Sequence, residues 1–274
     1  MDGKRSRPRR PHGEREAAVV LPRRHGLARV ISKAGLCSRS EAARWIGEGR
    51  VRVDGRIVRD PEFPLHDGMR RVRIDGTGAE SASVPASVPA RHYLMLNKPR
   101  GLVTTTSDER GRDTVYRCLE GAGLPWLAPV GRLDKASEGL LLFCNDPEWA
   151  AAVLDPRTGP DKTYHVQVDR VPDELLMQAL RQGAPCDDGA GPLRAKSATL
   201  LRSGARNAWL EIVLDEGRNR QIRRLLAAFD VGVLRLVRVA IGGLQLGTLQ
   251  KGAWRSLEEA ERDALAPPAA RGDG

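Results

Sequence analysis

Much that would direct a reading elsewhere is missing from this chain. Its four cysteines, Cys37, Cys118, Cys144 and Cys186, are scattered, with no C-x-x-C and no Cys/His cluster. That excludes a zinc ribbon and a disulfide framework, and fits free thiols in a reducing compartment. No stretch reaches the roughly 18 consecutive apolar residues of a membrane-spanning helix. The N-terminus, MDGKRSRPRRPHGERE, has no apolar signal core. A cytoplasmic protein with no membrane contact is the expectation. The phosphate-binding G-x-x-x-x-G-K-[ST], the dinucleotide-binding G-x-G-x-x-G and the zinc-binding H-E-x-x-H are all missing, so neither cofactor nor metal is expected.

What is present is positive charge, unevenly placed. Residues 1–25 hold eight Lys/Arg against three Asp/Glu, and residues 26–75 hold eleven against seven. The rest is near neutral, so nine of the ten net charges lie in the first 75 residues. A basic end on a neutral body suggests a polyanion-binding module joined to something else. A solubilising tail is the plainer reading of residues 1–25.

The pattern along the chain divides it. Residues 1–25 lack periodicity and read as a disordered basic tail. Leu27, Val30, Ile31 and Ala34 mark one helical face, and Gly35 ends it. Ser38-Arg39-Ser40-Glu41 is a capping box opening a second helix to about Gly49. Val51–Val53 and Arg56–Val58 flank Asp54-Gly55, a hairpin signal, and Val72–Ile74 adds a short strand. Residues 76–91 read as a linker of small residues, Ser and Pro. From His92 a larger domain is expected to about 258, with residues 259–274 frayed. Within it, Tyr93–Leu96 reads as a buried strand, Pro147–Leu154 as a helix, Lys162–Val168 as a half-buried strand, Asp173–Gly183 as an amphipathic helix and Trp209–Leu214 as a strand. Ile222, Leu225, Leu226 and Phe229 form the apolar stripe of another helix, with Arg220 and Arg224 roughly opposite it and Arg223 at its edge.

The stretch Val130–Asp146, VGRLDKASEGLLLFCND, organises the rest. Its apolar half, Leu140–Phe143, reads as a fully buried strand. Directly before it, Gly131, Arg132, Asp134, Lys135, Ser137, Glu138 and Gly139 crowd together. A carboxylate at the mouth of a core strand, with cations beside it, stays ionised and faces a cleft. For a lone loop aspartate, a turn or cap role is the commoner reading.

Gly131-Arg132-Leu133-Asp134, Ser137 and Gly139-Leu140-Leu141 together resemble the active-site motif of the pseudouridine synthases. The similarity is to the branch that holds the small-subunit synthase A and the large-subunit synthases B, E and F. Asn97-Lys98-Pro99-Arg100-Gly101, Lys162-Thr163-Tyr164 and Arg218–Arg224 match further motifs of that family, and residues 26–75 resemble the S4 RNA-binding domain. The implied architecture is α+β: a small S4-like helix-helix-hairpin domain, then a larger domain with a mixed, largely antiparallel sheet flanked by helices.

The resemblance implies conversion of uridine to pseudouridine in ribosomal RNA, with the large subunit favoured and the protein acting as a monomer. It makes Asp134 the essential carboxylate, Arg223 its ion partner and Tyr164 the ring against the target base. Strand alternation alone reads Tyr164 as a core tyrosine. Lys33, Arg39 and Arg44 are expected to meet RNA phosphates, and Lys98, Arg132 and Arg220 to contact RNA nearer the reacting base. For Lys98 and Arg220 a plain surface role reads equally well. Whether Asp134 adds to the base, adds to the sugar or takes a sugar proton stays open. A non-catalytic S4-type RNA-binding or ribosome-assembly factor is the alternative from another class.

Overall fold

The computed structural model describes residues 25–65, 72–75, 82–83, 90–106, 108, 110–186 and 191–266. The expected tail over residues 1–25, except His25, and most of the expected linker lie outside the described residues.

The first domain follows its local signals closely. β1 (His25–Gly26) leads into α1 (Leu27–Lys33), which buries Leu27 and Ile31 and stops at Gly35, whose φ of 73° only glycine adopts cheaply. α2 (Arg39–Gly47) is capped by Ser38, whose Oγ accepts the Glu41 amide at 3.0 Å. Only this half of the capping box is seen; the Glu41 carboxylate turns to Arg44 instead. β2 (Val51–Val53) and β3 (Arg56–Ile57) pair across Asp54 and Gly55, at φ 49° and 81°. Two left-handed residues are what a type I′ hairpin requires, and Asp-Gly supplies them. β4 (Pro64–Leu65) pairs with β1, and β5 (Val72–Ile74) with β2. β6 (Ala82–Ser83) pairs with β5, so part of the expected linker is a strand. Leu27, Ile31, Ala42, Ile46, Val51 and Ile74 close one core.

The second domain is built on β7 (Tyr93–Lys98), β8 (Ala128–Val130), β9 (Glu138–Cys144), α3 (Pro147–Leu154), β10 (Lys162–Val168), α4 (Glu174–Gln182), β11 (Ser197–Ser203), β12 (Ala208–Leu214), α5 (Gln221–Ala227), β13 (Val233–Ile241), β14 (Leu244–Gln245), β15 (Trp254–Ser256) and α6 (Glu259–Leu265). Among the described residues its strands form one sheet in the order β11-β12-β10-β13-β9-β7-β15, with β8 and β14 at the sides. Only the β9–β13 pairing is parallel.

β9 shows why Leu140–Phe143 reads as a continuous apolar run. Its alternate residues Leu141 and Phe143 enter one core with Leu94, Tyr164 and Ile222, while Leu140 and Leu142 enter a second with Met95, Trp149 and Leu265. A strand covered on both faces has no polar alternation to show. β10 is covered on one face only: Tyr164, Val166 and Val168 are buried, while His165 and Gln167 are half-buried. α6 corrects the expected fraying from residue 259. Its capping box of Glu258 and Glu261, and the Trp149 indole donating to the Arg262 carbonyl at 3.0 Å, hold it against the second core.

Candidate active site

The loop between β8 and β9 carries Asp134, and its backbone is held from several directions. Lys98, at the end of β7, is fully buried; its ammonium donates to the carbonyls of Pro99 and Asp134, both at 3.1 Å, and of Ser137 at 2.8 Å. Thr104 Oγ1 donates to the Leu133 carbonyl at 2.7 Å, and the Gly101 amide donates to the Lys135 carbonyl at 2.8 Å. The loop then meets β9 at Gly139, with φ 102°. A Cβ there would stand 2.2 Å from the Arg238 carbonyl oxygen of β13, so the two strands approach too closely for any side chain.

Lys98 is therefore not an RNA contact, which corrects the expectation from its motif. A lysine beside Pro and Gly reads as a surface loop cation. The ladder pairing Lys98 with Gly139 instead turns it inward beneath the Asp134 loop. Burial pushes its pKa down to about 8, against the opposing pull of Asp134 and Glu138.

Asp134 opens into a pocket of about 400 Å³ whose lining includes Arg132, Asp134, Tyr164, Arg220, Ile222 and Arg223. Its carboxylate is about one-third exposed, and Arg220 Nη1 lies 3.5 Å from its Oδ2. Arg223, the expected ion partner, donates instead to the carbonyls of Ala136, at 3.3 Å, and Val233, at 3.4 Å. Its buried Nε has no hydrogen-bond partner among the described residues. Burial and then Arg220 depress the Arg223 pKa, while Asp134 opposes them, so Arg223 feels the carboxylate without bonding it. The helical-wheel reading of Arg220 failed for a local reason. α5 starts only at Gln221, and Arg220 is its left-handed cap residue at φ 49°, which turns it toward Asp134.

Tyr164 is 9% exposed, on the core face of β10 and in the pocket wall, so it serves both the core and the site. No hydrogen bond from its hydroxyl is found among the described residues. Arg132 is exposed at the rim. Arg218 donates to the carbonyls of Gly191 and Pro192 at 3.0 and 3.2 Å and so braces the loop beside the pocket. Gln221, 3% exposed, donates to Glu216 at 2.5 Å and to the Arg194 carbonyl at 3.2 Å. In the first domain Lys33 is exposed, Arg39 pairs with Glu62 at 2.9 Å, and Arg44 pairs with Glu41 and Glu48 at 2.5 and 3.4 Å. Exposed pairs of this kind are weak enough for phosphates to displace.

Two cations of the pocket floor were given no role from the sequence, although Lys162 opens the Lys162-Thr163-Tyr164 motif. Lys162 lies two positions before Tyr164, so the strand period puts it on the same buried face. Arg238 sits between Leu236 and Ala240 on the core face of β13, opposite Tyr164. A cation at a core-facing strand position is the signal that would have exposed both.

An S4-like module ahead of a mixed sheet, whose single-nucleotide-sized pocket presents an aspartate among arginines, defines an RNA-modifying enzyme. Comparison with known proteins agrees. The family described as RNA pseudouridylate synthase matches residues 92–228, and the S4 domain matches residues 26–70. An uncharacterised RNA pseudouridine synthase of Mycobacterium tuberculosis is 38% identical over 88% of this chain and 92% of its own. The ribosomal large subunit pseudouridine synthase B of Pasteurella multocida is 35% identical over 85% of this chain and 66% of its own. A solved pseudouridylate synthase superposes with a TM-score of 0.60 at 26% identity, covering 88% of this chain and 99% of that one. The chain belongs to the RNA pseudouridine synthases.

Proposed function

We propose that this enzyme isomerises a uridine of large-subunit ribosomal RNA, with Asp134 as its essential carboxylate. The observation that carries the reading is the geometry of Asp134. Its backbone is pinned by Lys98 while its side chain reaches a pocket sized for one nucleotide, 3.5 Å from Arg220. The likeness to large-subunit synthases B supports the choice of RNA. The exposed cations Lys33, Arg39 and Arg44 engage RNA phosphates, and Arg132 and Arg220 hold the backbone at the pocket rim. The target base leaves its stack at a cost of a few kcal/mol and packs on Tyr164. The N1–C1′ bond breaks, the uracil turns, and C5 bonds C1′ with loss of the C5 proton. The chain works as a monomer, without cofactor or metal.

Mapping pseudouridine in ribosomal RNA from cells with the wild-type protein, without it, and with Asp134→Asn tests this. One large-subunit position should lose the modification in the last two cases. An unchanged map in the Asp134→Asn cells would refute the role of Asp134, and a lost small-subunit position would refute the choice of RNA.

A further inference from the structure

The floor of the pocket holds positive charge that the protein does not neutralise. Lys162 is 8% exposed and Arg238 5%. Both face the pocket, on either side of Tyr164 on neighbouring strands. No hydrogen bond from the Lys162 ammonium is found among the described residues. Arg238 donates Nε to the Leu140 carbonyl at 2.7 Å, but its buried Nη2 has no partner among the described residues. Of the acidic residues near Lys162, Asp161, bonded to Lys196 at 2.7 Å, and then Asp215 offset the charge only in part. Burial, and then the charge of Arg238, push the Lys162 pKa down. A largely buried lysine with no bonded partner and an arginine with one bonded nitrogen are costly to hold side by side, and their retention at a pocket floor points to a ligand.

The depth of the pair selects the ligand. An RNA phosphate must stay continuous with the strand outside, where the exposed Arg132 and Arg220 stand. The floor is reached only by the base. We propose that Lys162 and Arg238 form an anion-stabilising floor that holds the uracil carbonyl oxygens and takes up the negative charge the base acquires during isomerisation. When the N1–C1′ bond breaks, its electron pair passes to N1 and spreads to O2 and O4. If Asp134 adds to the ring instead, the charge gathers on O4. In either case the N1–C1′ bond breaks, the ring's electrons form the C5–C1′ bond, any Asp134 adduct is expelled as the carboxylate, and the C5 proton leaves, with no oxidant or reductant. Preorganised donors at the site of developing charge are worth most where the bound base excludes water. The inference rests on the isomerase reaction and not on the large-subunit assignment.

The test uses an RNA segment that the wild-type protein converts, with uridine or 5-fluorouridine at the target; fluorine blocks the loss of the C5 proton, so the rate on that base is read as disappearance of 5-fluorouridine. Fluorine makes the base a weaker base and a better-stabilised anion. Lys162→Met should lower the single-turnover rate by about 100-fold. RNA affinity and its salt dependence should be unchanged, and the melting temperature equal or higher, because an unpaired buried charge is removed. Lys162→Arg should recover most of the rate, and the Lys162→Met defect should shrink markedly on 5-fluorouridine. A wild-type rate in Lys162→Met would overturn the proposal. So would weaker binding with a salt slope lower by about one contact, roughly 0.7 to 0.9, and an equal defect on both bases, which would mean a phosphate contact. A lower melting temperature in both variants, with no rescue by arginine, would mean a structural role and equally overturn it.

Discussion

Gly139→Ala isolates the contact that seats the Asp134 loop on the sheet. The new methyl would stand 2.2 Å from the Arg238 carbonyl oxygen and 2.8 Å from its amide nitrogen. Both are backbone atoms of β13, which pairs with β10 on its other side, so they cannot swing away as a side chain would. Holding alanine at φ 102° adds about 1–3 kcal/mol of backbone strain. Forcing the strands apart adds about 1–3 kcal/mol more, by analogy with overpacked cores. The lower entropy of the unfolded alanine chain offsets about 0.4–1 kcal/mol. The net cost is about 1–6 kcal/mol, a large fraction of the roughly 5–15 kcal/mol of a typical domain. Urea unfolding followed by tryptophan fluorescence suits the measurement, since four of the five tryptophans, Trp126, Trp149, Trp209 and Trp254, lie in the second domain. Any folded remainder should also turn over slowly. The parallel contact is only two residue pairs long, and a shift of about 1 Å at a reacting group can cost about 100-fold. A variant with wild-type turnover that loses less than about 1 kcal/mol would refute the packing argument.

Three further predictions follow from the site. Arg220→Ala should lower single-turnover rate with little loss of stability, whereas Arg223→Ala, which frees the Ala136 and Val233 carbonyls, should lower both rate and melting temperature; equal thermal effects would contradict the assigned contacts. Lys98→Met should loosen the Asp134 loop and cut activity. Its folded pKa of about 8 lies below the ordinary lysine value, so the folded state binds fewer protons than the unfolded state above that pH. Stability from this group therefore rises with pH from about 8 to about 10.5, by at most about 1.4 kcal/mol per pH unit, and that slope should vanish in Lys98→Met unfolding curves. Replacing Lys33, Arg39 and Arg44 together with alanine should weaken RNA binding and lower the salt slope by about two to three, read from titrations at several ionic strengths, while single-turnover rate at saturating RNA holds.

Much of this protein was legible from local chemistry. The Asp54-Gly55 turn, the Ser38 helix cap and the continuous apolar run of β9 are written in neighbouring residues, and they form where the pattern places them. The Asp134 motif likewise lies on one short loop, so its residues arrive together. What the sequence could not settle is which cation meets which carboxylate. Lys98 was read as a surface or RNA-facing cation and Arg223 as the partner of Asp134; strand pairing turns Lys98 inward, and a left-handed cap brings Arg220, not Arg223, to Asp134. The floor pair of Lys162 and Arg238 joins residues 76 positions apart, brought together only by the antiparallel register of β10 and β13. Local propensity names the elements and the motif. Long-range pairing and burial decide which charges are spent on the fold and which remain for the substrate.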